Sequence, residues 1–235
     1  MSITRSGLRT RALQLADAVG SGRWDVTAGT GEIDIHMGVV HLREWKRILN
    51  ANPYYRVARR TPAVDSSARI AISTLSDTSV ADAVQTFYRV LMVAVNNTPY
   101  KEIIPKEGLL AGIQITTGSA MPGSNIWFRQ GDYIMVPDAA NTAAVTGVWV
   151  NHVPTQASAL SADNVTVEFP EGYEDLLAFE LAAIILSKGA AEADASGTMK
   201  AFAEDMRRDM LQDLSRFSIA PQVLAFSDTA AEWGG

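Results

Sequence analysis

The sequence predicts an α+β protein: a helical bundle made from N- and C-terminal helices, with an inserted antiparallel β module and an extended C-terminal tail. Three observations predict it. Apolar residues recur at helical spacing near both ends of the chain. Between about 70 and 169 the period shifts to strand-like alternation, with Gly, Pro and Asn between the runs. The last 17 residues follow neither period. At 235 residues and 47% apolar content, the chain is long enough to bury a core without crosslinks.

The first helix is expected over Leu8 to Val19, with Leu8, Ala12, Leu15 and Val19 on its apolar face and Arg5, Arg9 and Arg11 around it; Gly20-Ser21-Gly22 stops it. A Gly/Thr-rich stretch, Thr27 to Gly31, leads into a second helix from about Glu32 to Asn50. Ile33, Met37, Val40, Trp45 and Ile48 lie on or near one face, and Asn52-Pro53 ends it. Arg69 to Leu75 alternates like a strand. Val84 to Asn96 is apolar on both faces and reads as a long central strand. Further strands are expected at Ile113 to Thr117, Asn125 to Arg129, Tyr133 to Val136, Ala144 to His152 and Val165 to Phe169. Gln130-Gly131-Asp132 supplies a hairpin turn. After Pro170 the helical period returns, over Leu176 to Ser187 and from Gly197 to about Phe217. The segments expected are therefore 1–69 and 170–218 for the bundle, 70–169 for the β module and 219–235 for the tail.

The Leu176 to Ser187 helix is apolar nearly all round and must be covered on most sides. In a chain this small, part of that cover is expected from neighbouring subunits. Charge points the same way. Residues 1–69 carry 11 basic and 6 acidic side chains, whereas 170–235 carry 5 and 12. A chain with a basic start and an acidic end suits head-to-tail contact between copies, or pairing of its own ends.

The chemistry that the sequence excludes is extensive. There is no Cys, which removes disulfides, thiolate catalysis and Cys-ligated metal sites. The three His are His36, His41 and His152, and the first two are not spaced as a helical zinc pair. No phosphate-binding loop, nucleophile elbow or dinucleotide fingerprint occurs. Glu174-Asp175 and Glu204-Asp205 read as solvated or dipole-facing helix positions rather than a hydrolytic pair, and His152 as a structural hydrogen-bonding residue. Arg56, Arg59 and Arg60 could touch phosphates, but without an aromatic platform they do not suit specific DNA binding. Catalytic residues, metal ligands and cofactors are therefore expected to be none. No apolar run approaches a bilayer span, and the first residues lack the apolar core of a signal peptide. Leu224, Phe226 and Trp233 are large apolar groups in a tail that cannot bury them alone, as in a peptide arm that docks on a partner.

Phe169-Pro170-Glu171-Gly172-Tyr173-Glu174-Asp175-Leu176-Leu177-Ala178-Phe179-Glu180-Leu181-Ala182-Ala183, then Leu186-Ser187-Lys188-Gly189-Ala190-Ala191-Glu192, then an acidic helix with Arg and Met and a loose tail, resembles the head-to-tail adaptor (connector) proteins of tailed bacteriophages. The opening Leu8-Arg9-Thr10-Arg11-Ala12 and the helix around Trp45 are similar to that family's N-terminal helices. Val148 to Pro154 resembles the β module inserted in some members. The resemblance implies a structural virion protein and not an enzyme. It implies a homo-oligomeric ring, typically of twelve copies, under the portal protein at the capsid vertex, assembled in the host cytoplasm. The ring would meet a tail or nozzle protein on its other side and pass double-stranded DNA without sequence preference, with no membrane partner. Carried onto this sequence, it implies ring packing through Leu176, Phe179, Leu181, Ile184 and Ile185. It implies portal docking through Leu224, Phe226 and Trp233. Two other readings stand beside it: a glycan-binding or hydrolytic virion protein using Trp127, Trp149 and nearby carboxylates of the β module, and a tail-side nozzle or completion protein.

Overall fold

The structure, a computed structural model, describes residues 3–18, 24–27, 30–65, 67–76, 85–104, 125–137, 145–154, 162–188 and 193–216. The chain divides into two compact units, Met1–Tyr55 with Gln156–Gly235, and Arg56–Thr155.

The first unit is helical. Helix α1 spans Arg5–Leu15 and starts where the Thr4 hydroxyl accepts a hydrogen bond from the Gly7 amide at 3.1 Å, satisfying one of the free donors of the first turn. Helix α2, Glu32–Ala51, follows Gly31. A Cβ at Gly31 would stand 2.6–2.7 Å from backbone atoms of Asp25 and Thr27, so only glycine lets the preceding loop close onto the helix start. At the other end Asn52 turns the chain out of the helix, and its amide donates to the Leu214 carbonyl at 3.0 Å. Helix α3 is Asp175–Ser187 and helix α4 is Ala193–Arg216. The all-round apolar sequence of α3 is covered by α1, α2 and α4 of its own chain. α4 docks through Ser196, Ala203, Arg207, Met210 and Leu214, and the Ser196 hydroxyl donates to the Ala183 carbonyl of α3 at 2.9 Å.

Two charge clusters hold this unit together, the first buried and the second reaching the surface at Asp163. In the first, Glu44 of α2 is fully buried and receives Arg207 of α4, with Nε to Oε2 at 2.8 Å. Arg43 and Arg47 approach Glu44 from its own helix at 3.1 and 2.9 Å. Arg207 also reaches Glu180 of α3 and Glu204 of α4, and Arg43 lies 2.8 Å from Glu180. Three carboxylates meet three guanidinium groups, so the cluster is neutral. In the second, Arg5 and Arg9 of α1 both donate to Asp163, at 2.9 and 2.6 Å, and both lie 3.8 Å from the buried Asp34 of α2. The segment that carries Asp163 pairs with the N-terminus. Arg5 N–H donates to the Val165 carbonyl at 3.0 Å and Val167 N–H to the Ile3 carbonyl at 2.8 Å. The strand expected over Val165 to Phe169 is thus a single bridge, Thr4 to Thr166. The alternating pattern has only a few residues of partner to pair with.

The second unit is a sheet. Its strands are β1 (Val57–Arg60), β2 (Arg69–Ala71), β3 (Gln85–Val95), β4 (Thr98–Glu102), β5 (Ile126–Gln130), β6 (Tyr133–Met135) and β7 (Val145–Pro154). They lie in the order β1-β7-β3-β4-β5-β6-β2. β3 and β7 form the long central antiparallel pair, with register shifts after Phe87, Val90 and Ala94. Asn96 and Asn97 both adopt positive φ, 50° and 64°, which makes a tight two-residue hairpin into β4. Gly131, at φ 57°, does the same work between β5 and β6. β4 and β5 run parallel. Ile70, Leu75, Val93, Trp127, Ile134, Val148 and Val150 are core residues of this unit.

The expected fold class is overturned. The four helices accompany a seven-stranded mixed sheet curled into a half-barrel, not a bundle bearing a small antiparallel insert. The parallel β4–β5 pair breaks the antiparallel expectation. β1 and β4 were hidden from the sequence because Val57-Ala58-Arg59-Arg60 and Thr98-Pro99-Tyr100-Lys101-Glu102 are short, charged and largely exposed. The run from Arg69 to Leu75 is strand only to Ala71 and then a 3₁₀ turn, Ile72–Leu75. The strand expected at Ile113 to Thr117 lies outside the described residues.

The first charge cluster makes a prediction. Arg207→Met leaves Glu44 buried with its interhelical partner gone and should cost about 3–5 kcal/mol. Replacing both in Glu44→Met/Arg207→Met should cost clearly less than Arg207→Met alone, because no uncompensated charge remains at their contact. Urea unfolding of the variants measures this; strictly additive losses would refute the cluster's role.

Candidate interaction surfaces

The conserved spacing of a helix, 3.6 residues per turn, gives α2 two faces. Ile33, Met37, Val40, Trp45, Ile48 and Leu49 point inward and are buried. The outward side is also partly apolar. Ile35 is 55% exposed and Val39 60%, with Leu42 half-buried beside them. Val39, Leu42, Arg43, Lys46, Arg47 and Asn50 line an open groove of about 440 Å³. Every ionisable group in that lining is basic. Arg43 and Arg47 are directed to Glu44 and Glu180, whereas Lys46 is exposed and makes no ion pair among the described residues. A contiguous exposed stripe of aliphatic and basic residues on a helix fits a partner surface that is apolar and acidic.

α4 presents a complementary stripe. Phe202 is 50% exposed and stacks obliquely on Phe179 of α3, with ring centroids 5.7 Å apart. Asp205 pairs with Arg208 at 2.6 Å and Asp213 with Arg216 at 3.4 Å. Asp209 is exposed and makes no ion pair among the described residues. Neither stripe stands out in the sequence, because the stronger periodic signal of each helix comes from its inward face. The signal was present: Ile35, Val39, Leu42 and Lys46 recur at helical spacing on the side away from Trp45.

The expected ring-packing residues divide. Leu176, Leu181 and Ile185 are buried inside the chain's own helical unit, and their cover comes from α1, α2 and α4. Phe179 and Ile184 remain half-buried. Leu224, Phe226 and Trp233 lie outside the described residues. Trp127, offered to a glycan by the second reading, is buried in the sheet core. Trp149 is half-buried under the Arg59 guanidinium, 5.3 Å from its ring. The two tryptophans therefore do not form a sugar-stacking platform. His152 is buried and donates to the Leu75 carbonyl at 2.6 Å, a structural role. Glu174 accepts from the Gly172 amide at 2.9 Å, and Asp175 faces Arg11 at 3.5 Å. Glu204 and Asp205 are held by Arg207 and Arg208. Among the described residues no three His, Asp or Glu side chains gather as metal ligands, and no helix is long and apolar enough to cross a membrane.

The Phe169-Pro170 segment has a defined task. His41 Nε2 donates to the Glu168 carbonyl at 2.8 Å, and Trp45 Nε1 donates to the same oxygen at 3.0 Å. Phe169 packs edge-on against Trp45, at 6.2 Å between centroids. This leaves His41 Nδ1 as a buried acceptor with no hydrogen-bond partner among the described residues. Asp163 is held below the ordinary carboxylate range. Desolvation opposes this, but the hydrogen bonds and charges of Arg5 and Arg9 outweigh it. Arg207 behaves likewise: burial disfavours its charge, and Glu44 and Glu180 more than restore it. The Tyr173 hydroxyl donates to Asp213, and that bond raises its pKa.

Compared with known proteins, the chain matches no family model and no curated protein sequence.

His41 gives a pH prediction. Burial pushes its pKa down to about 4, against about 6.5 when unfolded. The stabilisation from keeping it neutral is fully present above about pH 6.5 and is lost as pH falls toward 4, by about 3 kcal/mol. His41→Gln should lose less stability than the native chain over that window, by about the same amount. Denaturant midpoints at pH 7, 5.5 and 4.5 test it; parallel profiles would show that His41 does not titrate in this way.

Proposed function

We propose that the chain is a structural virion protein of a tailed bacteriophage, forming a ring of about twelve copies that joins the portal at the capsid vertex to the tail. Its work is geometric. Copies present helical surfaces to one another, the C-terminal tail docks on the portal through Leu224, Phe226 and Trp233, and genomic DNA passes through the middle. The observation that carries this reading is the pair of unlike stripes on one helical unit: aliphatic and basic on α2, aromatic and acidic on α4. A surface of that kind favours association of copies in one sense rather than face to face. The resemblance that begins at Phe169 supports it, since residues 169–188 carry α3 and its approach to α2 and α4. The buried position of Trp127 weighs against the glycan reading. A nozzle protein on the tail side would share the surfaces and differ in its neighbour.

Mass measurement of the full chain, alone and mixed with the portal protein of the same phage, tests the proposal. A defined ring on the portal is the expected result. A chain that stays monomeric with portal present would sink it. Removing residues 219–235 should abolish portal attachment and leave the thermal unfolding of the remainder unchanged within a few degrees. Undiminished attachment would remove the docking role of the tail.

A further inference from the structure

We propose that neighbouring copies join through α2 of one and the outward stripe of α4 of the next, with Val39 against Phe202 and Lys46 against Asp209. This rests on the ring reading and names the surfaces that would carry it.

Val39 and Lys46 are seven residues apart on α2, and so are Phe202 and Asp209 on α4. Seven residues are two turns, so each pair lies on one helical face about 10.5 Å apart. Each helix therefore offers an exposed apolar group, with Ile35 one turn before Val39 on α2, and an exposed charge two turns toward its C-terminus. The charges are opposite. When the two helices run parallel, the apolar groups meet as the charges meet.

The remaining charges do not blur this match. On α2, Arg43 and Arg47 are drawn to Glu44 and Glu180, which leaves Lys46 as the Lys or Arg of that helix without an ion pair among the described residues. On α4, Asp205 is neutralised by Arg208 and Asp213 by Arg216; Asp194 and Lys200 lie before Phe202, so among the described residues Asp209 is the exposed carboxylate without an ion pair on the C-terminal side of Phe202. Asn50 lies one turn beyond Lys46 and Asp213 one turn beyond Asp209, so the ends of the stripes are both polar. The occupant of the α2 groove is thus a second copy, and the contact is heterologous, since the two stripes differ. Such a contact repeats in one direction and closes into a ring when the rotation per copy allows.

The absence of native cysteine makes the test clean. Val39→Cys and Phe202→Cys are made singly and together in the full-length chain, assembled on the portal ring and exposed to mild oxidation. A mixture of the two single variants should give crosslinked dimers, each single variant alone none, and the double variant a ladder of multimers. Lys46→Glu and Asp209→Lys should each weaken association at least tenfold, and the two together should restore it. Thermal unfolding of each variant checks that the fold is kept. If the ring forms but shows no mixed crosslink, or if Val39→Cys crosslinks to itself, the proposed contact is wrong and the ring reading stands. If no association occurs with portal present, both fail.

Discussion

The helical unit depends on one buried carboxylate. Glu44 sits on α2 with no exposed side-chain surface, a position that would be prohibitively costly for an unpaired charge. It is acceptable because Arg207 reaches it from α4 and Arg43 and Arg47 from its own helix, and because Glu180 of α3 and Glu204 of α4 balance the cations that gather there. Apolar residues packed in the same volume would give comparable or greater stability. What charges add is selectivity. Leucine tolerates a sliding neighbour, whereas a carboxylate and a guanidinium buried together do not. The cluster therefore fixes α4 along α2 and α3 to within a fraction of a turn. Everything on the outside of those helices inherits that register, including the stripes of Val39 with Lys46 and of Phe202 with Asp209.

The second cluster applies the same constraint to chain ends that are far apart in sequence. Asp163 meets Arg5 and Arg9 across more than 150 residues. A few residues later the Glu168 carbonyl accepts from both His41 and Trp45, and Phe169 closes over them. A short returning segment thus contacts α1 and α2 before α3 begins. Its sequence is irregular because each residue answers a different neighbour. Asp163 supplies charge, Val165 and Val167 supply backbone pairing, Glu168 supplies a carbonyl and Phe169 a ring.

How far the sequence could be read follows from the physics of each element. The helices were legible because a periodic apolar face and end signals such as Asn52-Pro53 reinforce one another. β3 and β7 were legible because both faces of a central strand are apolar. The β5–β6 hairpin was legible because Gly131 marks its turn. β1 and β4 were not, because their pairing is held by backbone bonds while their side chains are mostly polar and exposed. The Asn96-Asn97 turn was the available signal for β4. Buried charge was the other blind spot. Arg5 and Arg9 look like the solvated flank of α1, yet both are buried, because the carboxylates that accept them lie elsewhere in the sequence. Periodicity reports polarity, and polarity is not the same as exposure once partners exist.

The apolar helix α3 is covered within its own chain. Read alone, a helix with no polar face asks for cover on every side, and a neighbouring subunit is one source. In the folded chain, α1, α2 and α4 supply that cover, so the hydrophobicity of α3 says nothing about other copies. The informative surplus lies on amphipathic helices whose inward faces are already satisfied. α2 buries Met37, Trp45 and Ile48 and still leaves Ile35 and Val39 in water. α4 buries Met210 and Leu214 and still leaves Phe202 half outside. Neither exposure helps the isolated chain fold, and each offers apolar area that is gained only when something else arrives. Since the charges beside those residues are opposite in sign on the two helices, the chemistry that fits one stripe is already present on the other.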